Sequence, residues 1–277
     1  MAKAIGLIGN FKGKVGNMVG YQIPDSNTGN TQGIRIYQPV VKNPKTSAQA
    51  EQRAKLAPIN ATYRALKSII DRGNEGLPYG NKSRLAWLKG AFNAQHMPWI
   101  EKGKVVNAVL GCQLTKGSLQ GLNYSVTTDT ISIACSDATG ETQVDTIGKV
   151  STLLLGQYPF LKAGDQITLV QVKNGTNGLD VDVFSFEIDA TSVESVSRFE
   201  CVDFNINYES PLGGDAAVVI VSRQGNNGEH LRSTETLKIT GAVAAAAPYD
   251  ATSKTAAVAS YMASAAGSTD WAEESIQ

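Results

Sequence analysis

The chain is short of what catalysis usually draws on. Of its 277 residues only two are histidine, His96 and His230, and three are cysteine, Cys112, Cys135 and Cys201. An odd number of widely spaced cysteines makes neither a CxxC metal knuckle nor an even disulfide framework, so a reducing compartment is expected. No HExxH accompanies the histidines, which leaves zinc without a ligand set. No GxSxG elbow is present to pair either histidine with a nucleophilic serine. Long hydrophobic runs are also missing. The purest, AVAAAA at 242–247, is far too short to span a bilayer, and MAKAIGLIGNFKG holds no apolar stretch of the length a secretory leader needs. Net charge is absent, since 25 Lys and Arg face 25 Asp and Glu. The expectation is a soluble, cytoplasmically made protein without enzymatic activity, cofactor, metal or membrane contact.

The neutral total conceals a split. Residues 1–104 carry 16 basic residues against 5 acidic, and residues 105–277 carry 9 against 20. An excess of +11 therefore balances one of −11. Such asymmetry suits a basic region that meets nucleic acid or another anionic partner, or two parts that attract each other within or between copies.

The basic part opens on GLIGNFKGKVGNMVGY, residues 6–21, with glycines at 6, 9, 13, 16 and 20. A phosphate-cradling loop needs GxxxxGK followed by Ser or Thr. Here the Gly9–Gly13 interval is one residue short, and Val15 stands where the magnesium-binding hydroxyl belongs. On a helix, five glycines would cost roughly 4–5 kcal/mol, which favours an extended, turn-rich segment. Its interspersed apolar residues argue against a free tail. We read an assembly arm whose contacts are Gly6, Gly9, Phe11, Gly13, Val15, Gly16, Met18 and Gly20, with Lys12 and Lys14 facing an anionic partner. IRIYQPVV adds one edge strand before Pro39 interrupts it.

Thr46 with Gln49 three residues on fits a helix-capping box. The stripe Leu56, Ile59, Tyr63, Leu66, Ile70 predicts about four helical turns, with Pro58 as a kink or a start. A second helix is expected over SRLAWLKGAFNAQ. Arg53, Lys55, Arg64, Lys67 and Arg72 on the opposite side of the first helix, with Lys82, Arg84 and Lys89 by the second, are the candidate contacts to nucleic acid. From about residue 120 the period becomes two. NYSVTTDTISIAC, KVSTLLLGQ, QITLVQVKNG, DVDVFSFEID, RFECVDFNINY, AAVVIVSRQ and TETLKIT read as short strands separated by NGTNG, PLGGD and QGNNG. Asp180 and Asp182 share a strand face, expected to be the wet one. The fold class is thus α+β: an N-terminal arm and helical hairpin followed by an antiparallel β-sandwich of immunoglobulin-like size. The segments are 1–45 glycine-rich arm, 46–119 basic helical region, 120–241 sandwich and 242–277 alanine-rich tail. The tail is either one helix burying a small face or a mobile end.

GNFKGKVGNMVGY, VKNPKTSAQAEQRAKLAPINATYRAL, AFNAQ and LTKGSLQGLNYSV, taken together, resemble a domain family of unknown function from Bacteroidota and their phages. The likeness runs over roughly residues 5–240. Leu56 stands in QRAKLAPIN where the family commonly has an aromatic residue. The family has no established activity, so the resemblance implies an architecture and a source but no mechanism. The expected role is a non-enzymatic structural protein of a phage virion: a capsid decoration, spike or tail-associated subunit. It would meet other virion proteins or copies of itself through its termini. The alternative is a host-encoded module that binds nucleic acid or a surface glycan.

Overall fold

Helical and alternating periods each find their elements, giving an α+β fold whose sheets are antiparallel. The structure is a computed structural model and describes residues 13–25, 29–37, 46–135, 144–210, 212–225, 230–240 and 249–266. The chain divides into two compact units, Met1–Pro44 and Lys45–Gln277. The first holds β1 (Gly13–Val15), β2 (Met18–Asp25) and β3 (Gly29–Ile36), a three-stranded sheet in that order.

The second unit opens with α1 (Ser47–Ala65), α2 (Lys67–Ile70) and α3 (Asn81–Ala91). Thr46 caps α1, its hydroxyl accepting from the Gln49 N–H at 3.3 Å, but the return bond of the expected capping box is not made, since Gln49 Oε1 has no hydrogen-bond partner among the described residues. Pro58 lies inside α1 without ending it. The following elements are β4 (Gln113–Thr115), β5 (Tyr124–Val126), β6 (Thr130–Ala134), α4 (Ile147–Gln157), β7 (Gln166–Gly175) and β8 (Gly178–Glu187). Then come β9 (Phe199–Val202), β10 (Asn205–Glu209), β11 (Ala216–Gln224), β12 (His230–Arg232), β13 (Glu235–Thr236), β14 (Lys238–Ile239) and α5 (Ala251–Ala266). The strands fall into several separate sheets: β5-β6-β10-β9, β12-β11-β7-β8 with β14 against β11, and the pair β13-β4.

Strand β11 explains how these layers are joined. Its residues from Ala216 to Val221 are buried without interruption. Side chains alternate along a strand, so the run serves two cores. Ala217, Val219 and Val221 join Ile131, Ile133, Ile206, Tyr208 and α4's Val150 and Leu154 in one. Ala216, Val218 and Ile220 join Ile59, Leu66, Ile70 and Trp87 in the other. An unbroken apolar run is the mark of a strand covered on both faces.

Three expectations are corrected here. KVSTLLLGQ is not a strand but the body of α4, capped by the Thr146 hydroxyl, which accepts from the Lys149 N–H at 3.4 Å. Its buried residues Ile147, Val150, Ser151 and Leu154 follow the helical period. RFECVDFNINY is not one strand but the hairpin β9–β10. Its turn residues Asp203 and Phe204 adopt φ of 47° and 61°, a left-handed conformation that gave no glycine signal. Asp182, expected in water, is half-buried. It accepts from the Tyr208 hydroxyl at 2.9 Å and pairs with Arg198 at 3.5 Å. The alanine-rich tail contributes α5, whose Ala257 is fully buried; Lys254 on this helix pairs with Glu51 of α1 at 3.0 Å.

The KGSL segment, residues 116–119, clasps two stretches of chain, at residues 73–75 and 232–234. Lys116 N–H donates to Gly73 O, Glu75 N–H to Lys116 O, and Leu119 N–H to Arg232 O. The Thr234 hydroxyl accepts from Gly117 N–H and donates to Gly117 O. A Cβ on Gly117 would overlap the Arg232 carbonyl, whereas one on Gly90, exposed on α3, would meet nothing. Gly117→Ala is therefore expected to lose about 1–3 kcal/mol by overpacking, and Gly90→Ala to gain about 0.5–1 kcal/mol. Urea unfolding of the two variants checks the contrast.

Glu75 and Glu235 oppose each other in pH dependence. Burial, the largest single influence on Glu75, pushes its carboxyl up. The N–H and hydroxyl of Ser118 and the N–H of Arg232 outweigh it, and hold the group below its ordinary 4.5. Glu75 thus contributes stability above pH 4.5 that is lost as pH falls through its folded value. Glu235 is raised, chiefly by burial, so its ionisation costs stability as pH rises above 4.5. In unfolding measured from pH 3 to pH 7, Glu75→Gln should fall below the parent only toward neutral pH. Glu235→Gln should rise above the parent over the same range.

Candidate functional site

The three-stranded sheet is built by the glycines that made the opening segment conspicuous. Gly16 and Asn17 form a two-residue turn between paired Val15 and Met18, with Gly16 at φ 57°, the place glycine takes first in a type II′ hairpin. Gly13 pairs with Gly20 across the strands. Gly33 lies beneath Tyr21, and any Cβ there would overlap the phenol ring.

Pairing of Met18 with Ile36 and of Gly20 with Ile34 sets Met18, Ile34 and Ile36 on one face. All three are exposed, Ile36 to 77 %. The opposite face carries Lys14, Tyr21, Arg35 and Tyr37, with the Lys14 ammonium 3.7 Å above the Tyr37 ring. Of the arm residues named from the sequence, Gly13, Val15, Gly16, Met18 and Gly20 are thus gathered in one sheet. Gly6, Gly9, Phe11 and Lys12 lie outside the described residues. Sequence reasoning missed Ile34 and Ile36, although the alternation of IRIY contained the signal.

The basic helix residues divide by partner. Lys67 pairs with Asp71, which also accepts from the Tyr63 hydroxyl at 2.8 Å. Arg84 stacks 4.5 Å from the Tyr63 ring centre, so Tyr63 gathers cations from α2 and α3. The Lys67 ammonium, first, and then the Tyr63 hydroxyl hold Asp71 below the usual carboxylate range against burial. Lys55 pairs with Glu51 at 3.1 Å and stands 5.6 Å from the Trp99 ring, while Arg72 covers Tyr79. Among the described residues, Arg53, Arg64, Lys82 and Lys89 have no ion pair and are exposed.

The two histidines are both ring-stacked. His96 meets Tyr249 edge-on at 5.9 Å and His230 tilts against Tyr79 at 5.5 Å. Among the described residues no three His, Cys, Asp or Glu side chains converge as metal ligands, and no helix is long and apolar enough to cross a membrane.

The chain was compared with protein-family models, curated proteins and solved structures, and none of the three comparisons finds a match.

Proposed function

We propose that this chain is a non-enzymatic structural subunit of a phage particle, a decoration, spike or tail-associated protein, that assembles through its amino-terminal sheet. The observation that carries this reading is the exposed face of Met18, Ile34 and Ile36 on a three-stranded sheet. A small sheet gains its stability from an apolar face that it can bury, and covering one such side chain is worth about 1.5–3 kcal/mol. We read the two larger sheets, with the core between them, as an immunoglobulin-sized sandwich that serves as the body of the subunit. The resemblance noted above supplies the phage setting.

The test is native mass spectrometry of the full chain beside Met18→Glu/Ile36→Glu, together with proteomics of purified particles. The parent should be oligomeric and present in particles. The variant should be monomeric, with the unfolding of its body unchanged. A monomeric parent absent from particles would overturn the proposal.

A second reading rests on Arg53, Arg64, Lys82 and Lys89, exposed cations without an ion pair among the described residues. They suit phosphate contacts, and binding through them must weaken steeply with salt. A gel shift with single- and double-stranded DNA at low salt tests it, and no shift would exclude it.

A further inference from the structure

Two of the three thiols are neighbours. The Sγ atoms of Cys135 and Cys201 lie 3.9 Å apart, although the residues are 66 positions apart in sequence. Cys135 is the first residue after β6, and its N–H donates to the Phe204 carbonyl at 2.8 Å, which holds it beside the β9–β10 turn. Cys201 sits on β9, an edge strand, two residues before the same turn. Both side chains are buried in the core between the larger sheets. Cys201 also lines a surface cavity of about 400 Å³, together with Val144, Thr146, Gly148, Thr152 and Ala190. Cys112 stands apart in the other core, where burial pushes its thiol up to about 12.

We propose that Cys135 and Cys201 are an oxidation site, a thiol pair that closes to a disulfide when a two-electron thiol oxidant enters through the cavity at Cys201. A disulfide sets its sulfurs about 2.05 Å apart, so the sulfurs must approach by about 2 Å. Cys135 follows the end of β6 and Cys201 is the penultimate residue of β9, so rotation about χ1 and a small shift of the turn would supply that movement. Cys201, the thiol on the cavity, reacts first. With an azo oxidant such as diamide, its thiolate adds to one nitrogen of the N=N bond and the other nitrogen takes a proton. The Cys135 thiolate then attacks Cys201 Sγ. The S–S bond forms, the S–N bond breaks, and the departing nitrogen is protonated to give the hydrazine. Two thiols are oxidised, one azo group is reduced, and both protons end on nitrogen. The product ties β6 to the edge strand β9.

The test treats the folded full chain with diamide, then denatures it and alkylates the remaining thiols with N-ethylmaleimide. Three labels are expected before oxidation and one afterwards, with a non-reduced peptide linking Cys135 to Cys201. The melting temperature should rise on oxidation and return with dithiothreitol. Cys112→Ser should go from two labels to none, and Cys201→Ser should keep two labels throughout. Should Cys201→Ser fail to fold, the label count and linked peptide of the parent decide alone. Three labels after diamide, or a bond through Cys112, would overturn the assignment.

Discussion

Replacing Arg223 by leucine is expected to lower the unfolding free energy by about 3–5 kcal/mol, the cost of stranding one charge of a buried pair. The charge left behind is the Asp165 carboxylate, in a residue only 1 % exposed. Arg223, on β11, grips it with two parallel bonds: Nε donates to Oδ1 and Nη2 to Oδ2, each at 2.6 Å. The same Nη2 donates to the Phe160 carbonyl at 2.8 Å. The Lys162 N–H holds Asp165 Oδ2 at 2.8 Å, so the pair fastens the loop after α4 to the central strand. The guanidinium is itself partly reached by water, which places the loss toward the lower end of the range. Asp165→Asn in the Arg223→Leu background removes the stranded charge and should restore part of the loss. Urea unfolding at neutral pH of the parent, both single variants and the double variant measures this coupling. Additive losses would mean that the two side chains do not act as a pair.

Much of the fold was legible where a local signal and the tertiary outcome agree. AAVVIVS reads as a strand because few other elements bury every residue of so short a run. NGTNG closes β7 onto β8 with Gly178 at φ 139°. Thr46 announces α1 because a hydroxyl ahead of a helical stripe satisfies an orphan N–H. The failures lie where local patterns are neutral. Asp203 and Phe204 turn the chain with positive φ and no glycine, a conformation that the surrounding strands impose. Gly117 looks like any loop glycine until Arg232, more than a hundred residues away, is seen against it.

The candidate site divides in the same way. Glycine spacing excluded a phosphate loop and favoured an extended arm, and that much needed only chemistry. That Ile34 and Ile36 share the exposed face of Met18 depends on strand register, which no single segment reports. The basic residues were all visible in sequence, but their pairing was not. Lys67, Arg84 and Asp71 converge on Tyr63 only after α2 and α3 fold back, while Arg53, Arg64, Lys82 and Lys89 make no ion pair among the described residues.

Leu154→Ala is expected to cost about 2–5 kcal/mol, the range for a fully buried leucine reduced to alanine. Its neighbours distinguish the helix from the strand that KVSTLLLGQ suggests. On a strand, Leu153 and Leu155 share one face and Leu154 takes the other. On α4, Leu154 lies on the face of Ile147, Val150 and Ser151, in the buried cluster that also holds Ile131, Ile167 and Val219, while Leu153 and Leu155 flank it half-buried. Leu153→Ala and Leu155→Ala should each cost about half as much or less, since the transfer loss scales with the apolar area already removed from water. The local sequence hid this because three successive leucines satisfy either period, and the deciding information lies at the ends. Thr146 caps the first turn, and the Ile147 and Gly148 N–H groups donate to the carbonyls of Glu194 and Ser192, far along the chain. A Cβ at Gly148 would press on the Ser192 carbonyl and on that of Ala190, so this position holds the helix start against the loop. Denaturant unfolding of the three leucine variants gives the comparison. Equal losses at 153 and 155 exceeding that at 154 would return the segment to a strand.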